Sequence, residues 1–274
     1  MTAPNRPALR WHGGKWLIAP WIISHFPSHQ VYVEPFGGAA SVLLRKAPSY
    51  AEIYNDMDGE VVNLFRVLRG GRAMDLIEAL RLTPFAREEF AEAYETSACE
   101  VERARRLIIR SFMGFGSNGH ARLTGFRANS NRSGTTPAHD WTNYPEALAR
   151  VVVRLRGVTI ENRDAKQVMA AHDATTTLHY VDPPYLLATR DDAAPDYRFE
   201  MTDQDHAELL AFLQTLKGAV IVSGYASEIY DRELLGWRRE TRASLADGAK
   251  KRTEVIWMNA AASQQGSLLT QMAE

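Results

Sequence analysis

Short apolar runs alternate with amphipathic stretches at both ends of the chain, and a purely helical region separates them. The runs that have the length and residue types of buried strands are residues 31–34, 51–54, 158–161, 178–181, 219–223 and 254–259. The stretch after the second run has one apolar helical face, formed by Val61, Val62, Phe65 and Leu68. Strands that alternate with helices predict an α/β sheet.

The middle of the chain lacks strand patterns and is interpreted as an insertion. Helical periodicity covers residues 74–80, 87–94, 101–112 and 148–155. Residues 114–134 form a Gly-, Asn- and Ser-rich segment, in which alternation at 121–126 indicates a hairpin. We therefore predict a sheet domain formed by residues 1–65 and 158–274, with an inserted domain formed by residues 66–157.

The composition is that of a soluble globular protein, with 45% hydrophobic and 24% charged residues among 274. No apolar run approaches the roughly 20 residues that a membrane span requires, and residues 1–10 lack the apolar stretch of a secretory signal. Cys99 is the single cysteine, which excludes an intrachain disulfide and a cysteine-based zinc site. We expect a cytoplasmic protein with no membrane contact, no bound metal and no obligate protein partner.

The formal net charge of −1 conceals a strongly basic region. Residues 101–160 contain ten arginines and three acidic residues, a net charge of +7 without any lysine. Arginine offers a planar fork that suits phosphates and guanine edges. The candidate nucleic-acid contacts lie in the Gly-rich segment and are Asn118, Arg122, Arg127 and Arg132. The alternative is a solvated basic surface without a ligand.

Two consecutive prolines stiffen the chain after the run at 178–181, in the sequence Asp182-Pro183-Pro184-Tyr185. Because ligands of open α/β sheets bind at the carboxyl ends of strands, these four residues form the candidate catalytic loop. The Asp182 carboxylate and the Pro183 carbonyl can accept both N–H hydrogens of an exocyclic amine, which lets the nitrogen pyramidalise. Tyr185 can stack on the base. The alternative is a Pro-Pro turn beside a buried tyrosine.

A glycine turn follows the first predicted strand, in the sequence Glu34-Pro35-Phe36-Gly37-Gly38. Glycines at this position let a ligand approach the backbone closely, although the dinucleotide pattern G-x-G-x-x-G is absent. Asp56 ends the next strand, where a carboxylate can bind ribose hydroxyls or, alternatively, cap the following helix. Trp11 and Lys15 flank a glycine pair near the start; they can contact a cofactor, or they can belong to a flexible terminus with an exposed lysine.

These motifs occur in a characteristic order: Gly-Gly-Lys, Glu-Pro-Phe-Gly-Gly, Asn-Asp and, far downstream, Asp-Pro-Pro-Tyr. In that order they resemble the D12-class (Dam-type) DNA adenine-N6 methyltransferases, from about residue 9 to residue 259. The runs at 223–225 and 252–254 resemble late segments of phage-type members. The resemblance implies a Rossmann-like methyltransferase sheet that binds S-adenosyl-L-methionine. It also implies that residues 66–157 form the target-recognition domain for double-stranded DNA.

The resemblance further implies roles for individual residues. Trp11 and Lys15 would lie at the methionine end of the cofactor, beside a cofactor turn formed by residues 36–38. Asp56 would hold the ribose, and Asp164, which follows the strand at 158–161, would meet the adenine amine. Asp182 would contact both the cofactor and the target amine.

Three alternatives remain open from the sequence. Methylation of cytosine N4 poses the same chemical problem as methylation of adenine N6. A more distant alternative is methylation of RNA or of a protein amide, although the order of the motifs and the basic region favour duplex DNA. The third is a catalytically silent DNA-binding protein of the same fold, although Asp182, Tyr185 and Asp56 are all intact. One departure from the family pattern is Ala40, which stands where Phe-x-Gly-x-Gly has its last glycine. A methyl group is expected to be tolerated there.

Overall fold

A computed structural model describes residues 3–117, 119, 122–129, 134–190, 197–245 and 251–263. Within these residues the centre is a seven-stranded sheet in the order β3-β2-β1-β4-β5-β7-β6. The strands are β1 (Val31–Glu34), β2 (Ala51–Asn55), β3 (Val158–Glu161), β4 (Thr177–Val181), β5 (Ala219–Gly224), β6 (Arg238–Leu245) and β7 (Lys251–Met258). Strands β1 to β5 run parallel, and β7 is antiparallel to both neighbours, β5 and β6. The predicted α/β class is confirmed.

Helices cover both faces of the sheet. Those in the described residues are α1 (Ala19–Ile23), α2 (Ser41–Arg45), α3 (Gly59–Arg69), α4 (Ala73–Leu82), α5 (Arg87–Glu92), α6 (Glu100–Met113), α7 (Pro137–Thr142), α8 (Tyr144–Arg154), α9 (Ala165–Ala171), α10 (Asp203–Leu213) and α11 (Glu228–Glu233). Neighbouring strand residues alternate between two apolar clusters: Tyr32 and Tyr54 belong to one, Val33 and Ile53 to the other. The protein is therefore a three-layer structure with a buried central sheet. No helix in the described residues is long and apolar enough to span a bilayer.

Each of the six predicted strands is present, with ends that differ by a few residues. The sequence analysis missed β6, whose residues 238–243 are exposed or half-exposed. Among the described strands it pairs with β7 alone, in a register that runs from Arg238 opposite Met258 to Leu245 opposite Lys251. A charged strand at the edge of a sheet shows no apolar alternation, so hydrophobic patterning does not reveal it.

The helical middle of the chain packs directly on the sheet. Leu76 of α4, Leu107 of α6 and Leu148 of α8 belong to the same apolar cluster as Tyr32 and Leu178 of the sheet. The predicted boundary between residues 65 and 66 falls inside α3. The assignment of residues 66–157 to target recognition therefore stays a prediction about function, since one continuous core joins this region to the sheet.

The Gly-rich segment begins with antiparallel pairing. Gly114 and Phe126 form a bridge, and the neighbouring backbone bonds join Phe115 N–H to Gly125 O at 2.7 Å and Arg127 N–H to Met113 O at 2.7 Å. The partner of the predicted 121–126 alternation is thus the stretch that directly follows α6. Asn118 and Arg132 lie outside the described residues.

Candidate active site

The strands β1, β2 and β4 end at a common edge, where a cavity of about 330 Å³ opens. The cavity lies where the sheet order changes direction between β1 and β4, the position at which open α/β sheets bind ligands. Its wall contains the sequence-predicted residues Trp11, Lys15, Glu34, Pro35, Phe36, Gly37, Gly38, Asp56, Asp164, Asp182, Pro183 and Pro184. Chain segments that are far apart in sequence therefore meet around one cavity.

The glycine turn after β1 has no room for side chains. A Cβ atom at Gly37 would overlap the Tyr54 ring, and a Cβ atom at Gly38 would lie 2.6 Å from Trp11 Nε1. Gly38 also has φ +47°, in the left-handed region that favours glycine. The turn thus presents bare backbone to the cavity. Ala40, where the family pattern has glycine, has φ 54° and occupies the same left-handed region at the start of α2.

Asp56 fastens the glycine turn to the end of β2. Its Oδ2 accepts the Gly38 N–H at 2.8 Å and its Oδ1 accepts the Asp58 N–H at 2.8 Å. Asp58, not Asp56, caps α3 by accepting the Glu60 N–H at 2.9 Å. Burial raises the pKa of Asp56 to about 6. Asp56 therefore fixes the glycine turn at the cavity wall and does not cap α3.

Two further predicted cofactor residues have structural partners of their own. Glu34 Oε2 accepts the Tyr32 hydroxyl at 2.6 Å and the Leu43 N–H at 2.9 Å, and burial raises the pKa of Glu34 to about 8. Asp164 caps α9 by accepting the Gln167 N–H at 3.1 Å. Both residues line the cavity, Glu34 at the end of β1 and Asp164 beyond the end of β3.

Lys15 contacts the loop Asp182-Pro183-Pro184-Tyr185 and is buried, which excludes the alternative of an exposed lysine in a flexible terminus. Its Nζ lies 2.8 Å from Asp182 Oδ1, donates to the Tyr185 hydroxyl at 2.7 Å and donates to the Gly13 carbonyl at 2.8 Å. Burial alone would lower the pKa of Lys15, but the carboxylates of Asp182 and Glu254 raise it above its ordinary value. The site therefore holds a permanent ammonium beside the Asp182 carboxylate.

Asp182 has a second partner, which the sequence analysis did not assign. The Ser223 hydroxyl donates to Asp182 Oδ1 at 2.7 Å and lies 2.8 Å from the Tyr180 hydroxyl. Ser223 comes from β5 and Tyr180 from β4, so adjacent strands orient the carboxylate. Both the lysine and the serine contact Oδ1, and among the described residues no hydrogen-bond partner of Oδ2 is found.

Tyr185 is also held by residues from the end of the chain. Its hydroxyl donates to Glu254 Oε1 at 3.2 Å, and its ring stacks on Tyr225 with centroids 4.4 Å apart. Burial raises the pKa of Glu254, an effect that Lys15 opposes. The only sequence signal for Tyr225 and Glu254 was their place in segments that resemble the family. Strand β7 brings Glu254 into the site.

The arginines of residues 101–160 are less available for nucleic acid than the net charge of +7 indicates. Arg103, Arg105 and Arg154 pair with acids outside residues 101–160, and the acids are Glu60, Glu89 and Glu52. Of the predicted nucleic-acid contacts, Arg122 is exposed, and Arg127 donates to the Phe112 carbonyl at 3.3 Å. Within the described residues no cluster of three potential metal-ligating acids, histidines or cysteines is found.

The sheet order and the cavity at its switch point are those of a Rossmann-like methyltransferase. The chain matches the D12 class N6 adenine-specific DNA methyltransferase family over residues 11–236 and belongs to it. Methylation of adenine N6 in DNA is therefore its reaction, in place of cytosine N4 methylation or silent DNA binding. That reaction requires a methyl donor.

Three proteins that are similar to this chain share the name DNA adenine methylase. The DNA adenine methylase of Salmonella typhi is 28% identical over 233 residues, which cover 81% of this chain and 81% of that protein. The DNA adenine methylase of Serratia marcescens is 27% identical over 238 residues, covering 82% and 85%. A shorter match, 29% identical over 123 residues, joins the chain to the DNA adenine methylase of Escherichia coli (strain K12), covering 43% and 44%.

Proposed function

We propose that the cavity binds S-adenosyl-L-methionine and that the loop Asp182-Pro183-Pro184-Tyr185 presents an extruded adenine to it. The observation that carries this proposal is the meeting of the Asp182 carboxylate, fixed by Lys15 and Ser223, with the bare backbone of the glycine turn in one cavity. S-adenosyl-L-methionine supplies an electrophilic methyl group on sulfur.

The cavity wall has a suitable group for each part of this donor. Trp11 and Lys15 stand at the end nearest the catalytic loop, where the methionine moiety fits. Asp56 lies on the β2 side with its carboxylate on the wall, a position that suits ribose hydroxyls. Asp164 lies at the β3 side, where it suits the adenine amine. The glycine turn between them has no side chains because the Trp11 and Tyr54 rings pack against Gly38 and Gly37, so its backbone is available to the donor.

The catalytic step follows from the two acceptors. Asp182 Oδ2 and the Pro183 carbonyl would accept the two N6 hydrogens, so that the amine nitrogen pyramidalises and its lone pair becomes nucleophilic. As the nitrogen gains the methyl carbon, the donor sulfur would keep the electron pair of the carbon–sulfur bond, and one N6 proton would leave through Asp182 Oδ2. Lys15 and Ser223 hold Asp182 Oδ1 in place through this step. Preorganised acceptors of this kind contribute on the order of a hundredfold or more to rate.

The adenine reaches the loop only outside the double helix, since the site lies at the edge of a buried sheet. Extrusion costs a few kcal/mol. We propose that the base then stacks on Tyr185, in the place where the Tyr225 ring now lies. Entry of the base therefore requires Tyr225 to move. Residues 66–157 would select the target sequence, with Arg122, Arg127 and Arg132 sharing phosphate and base contacts.

The decisive experiment is transfer of a tritiated methyl group from S-adenosyl-L-methionine to duplex DNA that lacks adenine methylation, followed by nucleoside analysis. We expect labelled N6-methyladenine. Donor binding without any labelled adenine would refute the assignment of substrate to this site. Extrusion is tested separately with 2-aminopurine at a mapped target, which should brighten on binding. An unchanged signal in a competent complex would refute base flipping.

Target selection is tested by sequencing methylated sites in a random library with Arg122→Ala, Arg127→Ala and Arg132→Ala. An arginine on a guanine edge should relax one base position at a cost of roughly 1–3 kcal/mol. An arginine on phosphate should weaken all sequences alike. If all three variants methylate the wild-type set of sites, sequence selection lies elsewhere in residues 66–157.

A further inference from the structure

A second cavity of about 460 Å³ lies beside the donor cavity, and four arginines surround it. We call it the arginine cleft; its charged and aromatic wall consists of Arg103, Arg106, Arg110, Arg198, Glu60, Glu95 and Tyr94. Three of the arginines come from α6, at spacings of three and four residues that place them along one face of the helix.

The arginine cleft connects the active site to the predicted recognition segment. Arg198 lines both the donor cavity and the cleft, and it pairs with Asp58 at 3.2 Å. On the other side, the Tyr94 hydroxyl donates to the Arg122 carbonyl and accepts the Thr124 N–H, each at 3.4 Å. A ligand in the cleft would therefore lie between the reacting base and the segment that we expect to contact DNA.

Arg110 is the least satisfied cation of the group. It is only 8% exposed, it donates to the Ala93 carbonyl, and its guanidinium lies 5.7 Å from the Tyr94 ring centroid. Within the part of the chain that the structure describes, it forms no ion pair with a carboxylate. A buried guanidinium with a carbonyl as partner gains from an anion more than a paired one does.

The remaining arginines have acid partners at the rim. Arg103 pairs with Glu60 at 3.0 Å, and Arg106 pairs with Glu102 at 2.7 Å while it also donates to the carbonyls of residues 95 and 96. Arg103, Arg106 and Arg198 therefore each have a carboxylate partner, namely Glu60, Glu102 and Asp58, and Arg110 is the cleft arginine for which the described residues supply none. A cleft with one uncompensated cation favours a singly charged anion that the neighbouring guanidinium groups can share.

We propose that the arginine cleft binds a phosphodiester group of the substrate DNA, on the strand that delivers the target adenine. This inference rests on the proposed function. A phosphodiester carries one negative charge and several acceptor oxygens, which matches the convergence of guanidinium groups. The contact positions the strand and reads no sequence, so it acts alike on every target.

The test compares Arg103→Gln combined with Arg106→Gln against Arg105→Gln, a matched control on the same helix that is not part of the cleft and pairs with Glu89 and Glu102. Duplex binding is measured by fluorescence anisotropy over a range of salt concentrations. The double variant should raise the Kd about tenfold and lower the salt slope by about one unit. The control should retain the wild-type slope, and donor affinity should be unchanged in both.

Glu60→Gln separates the proposal from a purely structural role for these side chains. Removal of this carboxylate should tighten duplex binding several-fold, because it frees Arg103 for phosphate. If the arginines only hold the loop at 95–97, Glu60→Gln will lower the melting temperature of the protein without increasing its affinity for duplex DNA. Equal salt slopes for the double variant and the wild type would overturn the proposal, whereas formation of N6-methyladenine by the wild type tests the proposed function independently.

Discussion

Replacement of Lys15 by methionine is the most informative single change, because this side chain neutralises the acidic centre of the site. Methionine has a similar length and removes only the charge and its hydrogen bonds. The change leaves Asp182 and Glu254 facing each other without the ammonium that lies 2.8 Å from Asp182. We expect loss of methyl transfer together with loss of stability.

The size of the stability loss follows from the geometry. At 2.8 Å, the attraction between Lys15 and Asp182 is on the order of 6 kcal/mol for an effective dielectric constant of about 20. Part of this lost attraction is offset, because the variant no longer bears the desolvation cost of a buried ammonium group. Loss of one partner of a buried pair typically costs about 3–5 kcal/mol. Because the Asp182 side chain is 18% exposed to water, we expect about 3 kcal/mol.

The loss should depend on pH in a definite direction. Burial raises the pKa of Glu254, and removal of Lys15 raises it further because the opposing cation is gone. A carboxyl group whose folded-state pKa lies above its unfolded value binds its proton first in the folded protein. The loss of stability caused by Lys15→Met should therefore be largest at high pH, and it should shrink as the pH falls through the folded-state pKa of Glu254.

Thermal and urea unfolding at about pH 8 and about pH 5.5 measure this difference directly. Lys166→Met is the matched control, since Lys166 forms an exposed pair with Glu208 at 3.6 Å and should change stability by less than about 0.5 kcal/mol. A Lys15→Met deficit below about 1 kcal/mol, or one that is equal at both pH values, would refute the assignment of Lys15 as the charge that stabilises the site.

Three other changes test single features of the site. Asp182→Ala should lower turnover on the order of a hundredfold with the fold retained in circular dichroism, and a variant that keeps more than about a tenth of the activity would contradict the catalytic role. Asp56→Asn should weaken S-adenosyl-L-methionine binding by about tenfold to a hundredfold in calorimetry. Burial raises the pKa of Asp56 to about 6. The affinity of the wild type for S-adenosyl-L-methionine should therefore decline below that pH, whereas the affinity of Asp56→Asn should not. Identical pH profiles would exclude the carboxylate as a ligand. Gly37→Ala should destabilise the fold by about 1–3 kcal/mol, because its Cβ atom would overlap the Tyr54 ring. Gly71→Ala is the control, since a Cβ atom there has open space around it and should not destabilise the fold. Equal losses of stability in thermal unfolding would argue against steric control of the turn.

Residues whose positions are set by an adjacent strand could be predicted from the sequence. Asp56 and Asp182 each directly follow a strand of the parallel sheet, so both had to appear at its carboxyl edge. The glycine turn directly follows β1, so its position at this carboxyl edge could be predicted in the same way. Lys15 reached the site from outside the sheet, and its burial between Asp182 and Tyr185 was not predictable from a glycine pair.

Contacts that depend on distant pairing could not be predicted in this way. Glu254 meets Tyr185 because β7 inserts antiparallel beside β5, a topology that local patterns do not determine. The charge count in residues 101–160 was misleading for a related reason, since Glu52 and Glu60 come from elsewhere in the chain to neutralise it. Sequence windows measure charge along the chain, whereas the fold pairs it in space.

The position of β7 between β5 and β6 has a consequence for biosynthesis. During translation β5 and β6 emerge before the strand that joins them, so the outer edge of β5 stays open until β7 leaves the ribosome. An open edge of this kind is a template for pairing with other chains. Glu254 arrives on the same strand, so the nascent enzyme completes its sheet and its reaction centre in a single late event. Premature termination before β7 should therefore yield a chain that is both inactive and prone to aggregate.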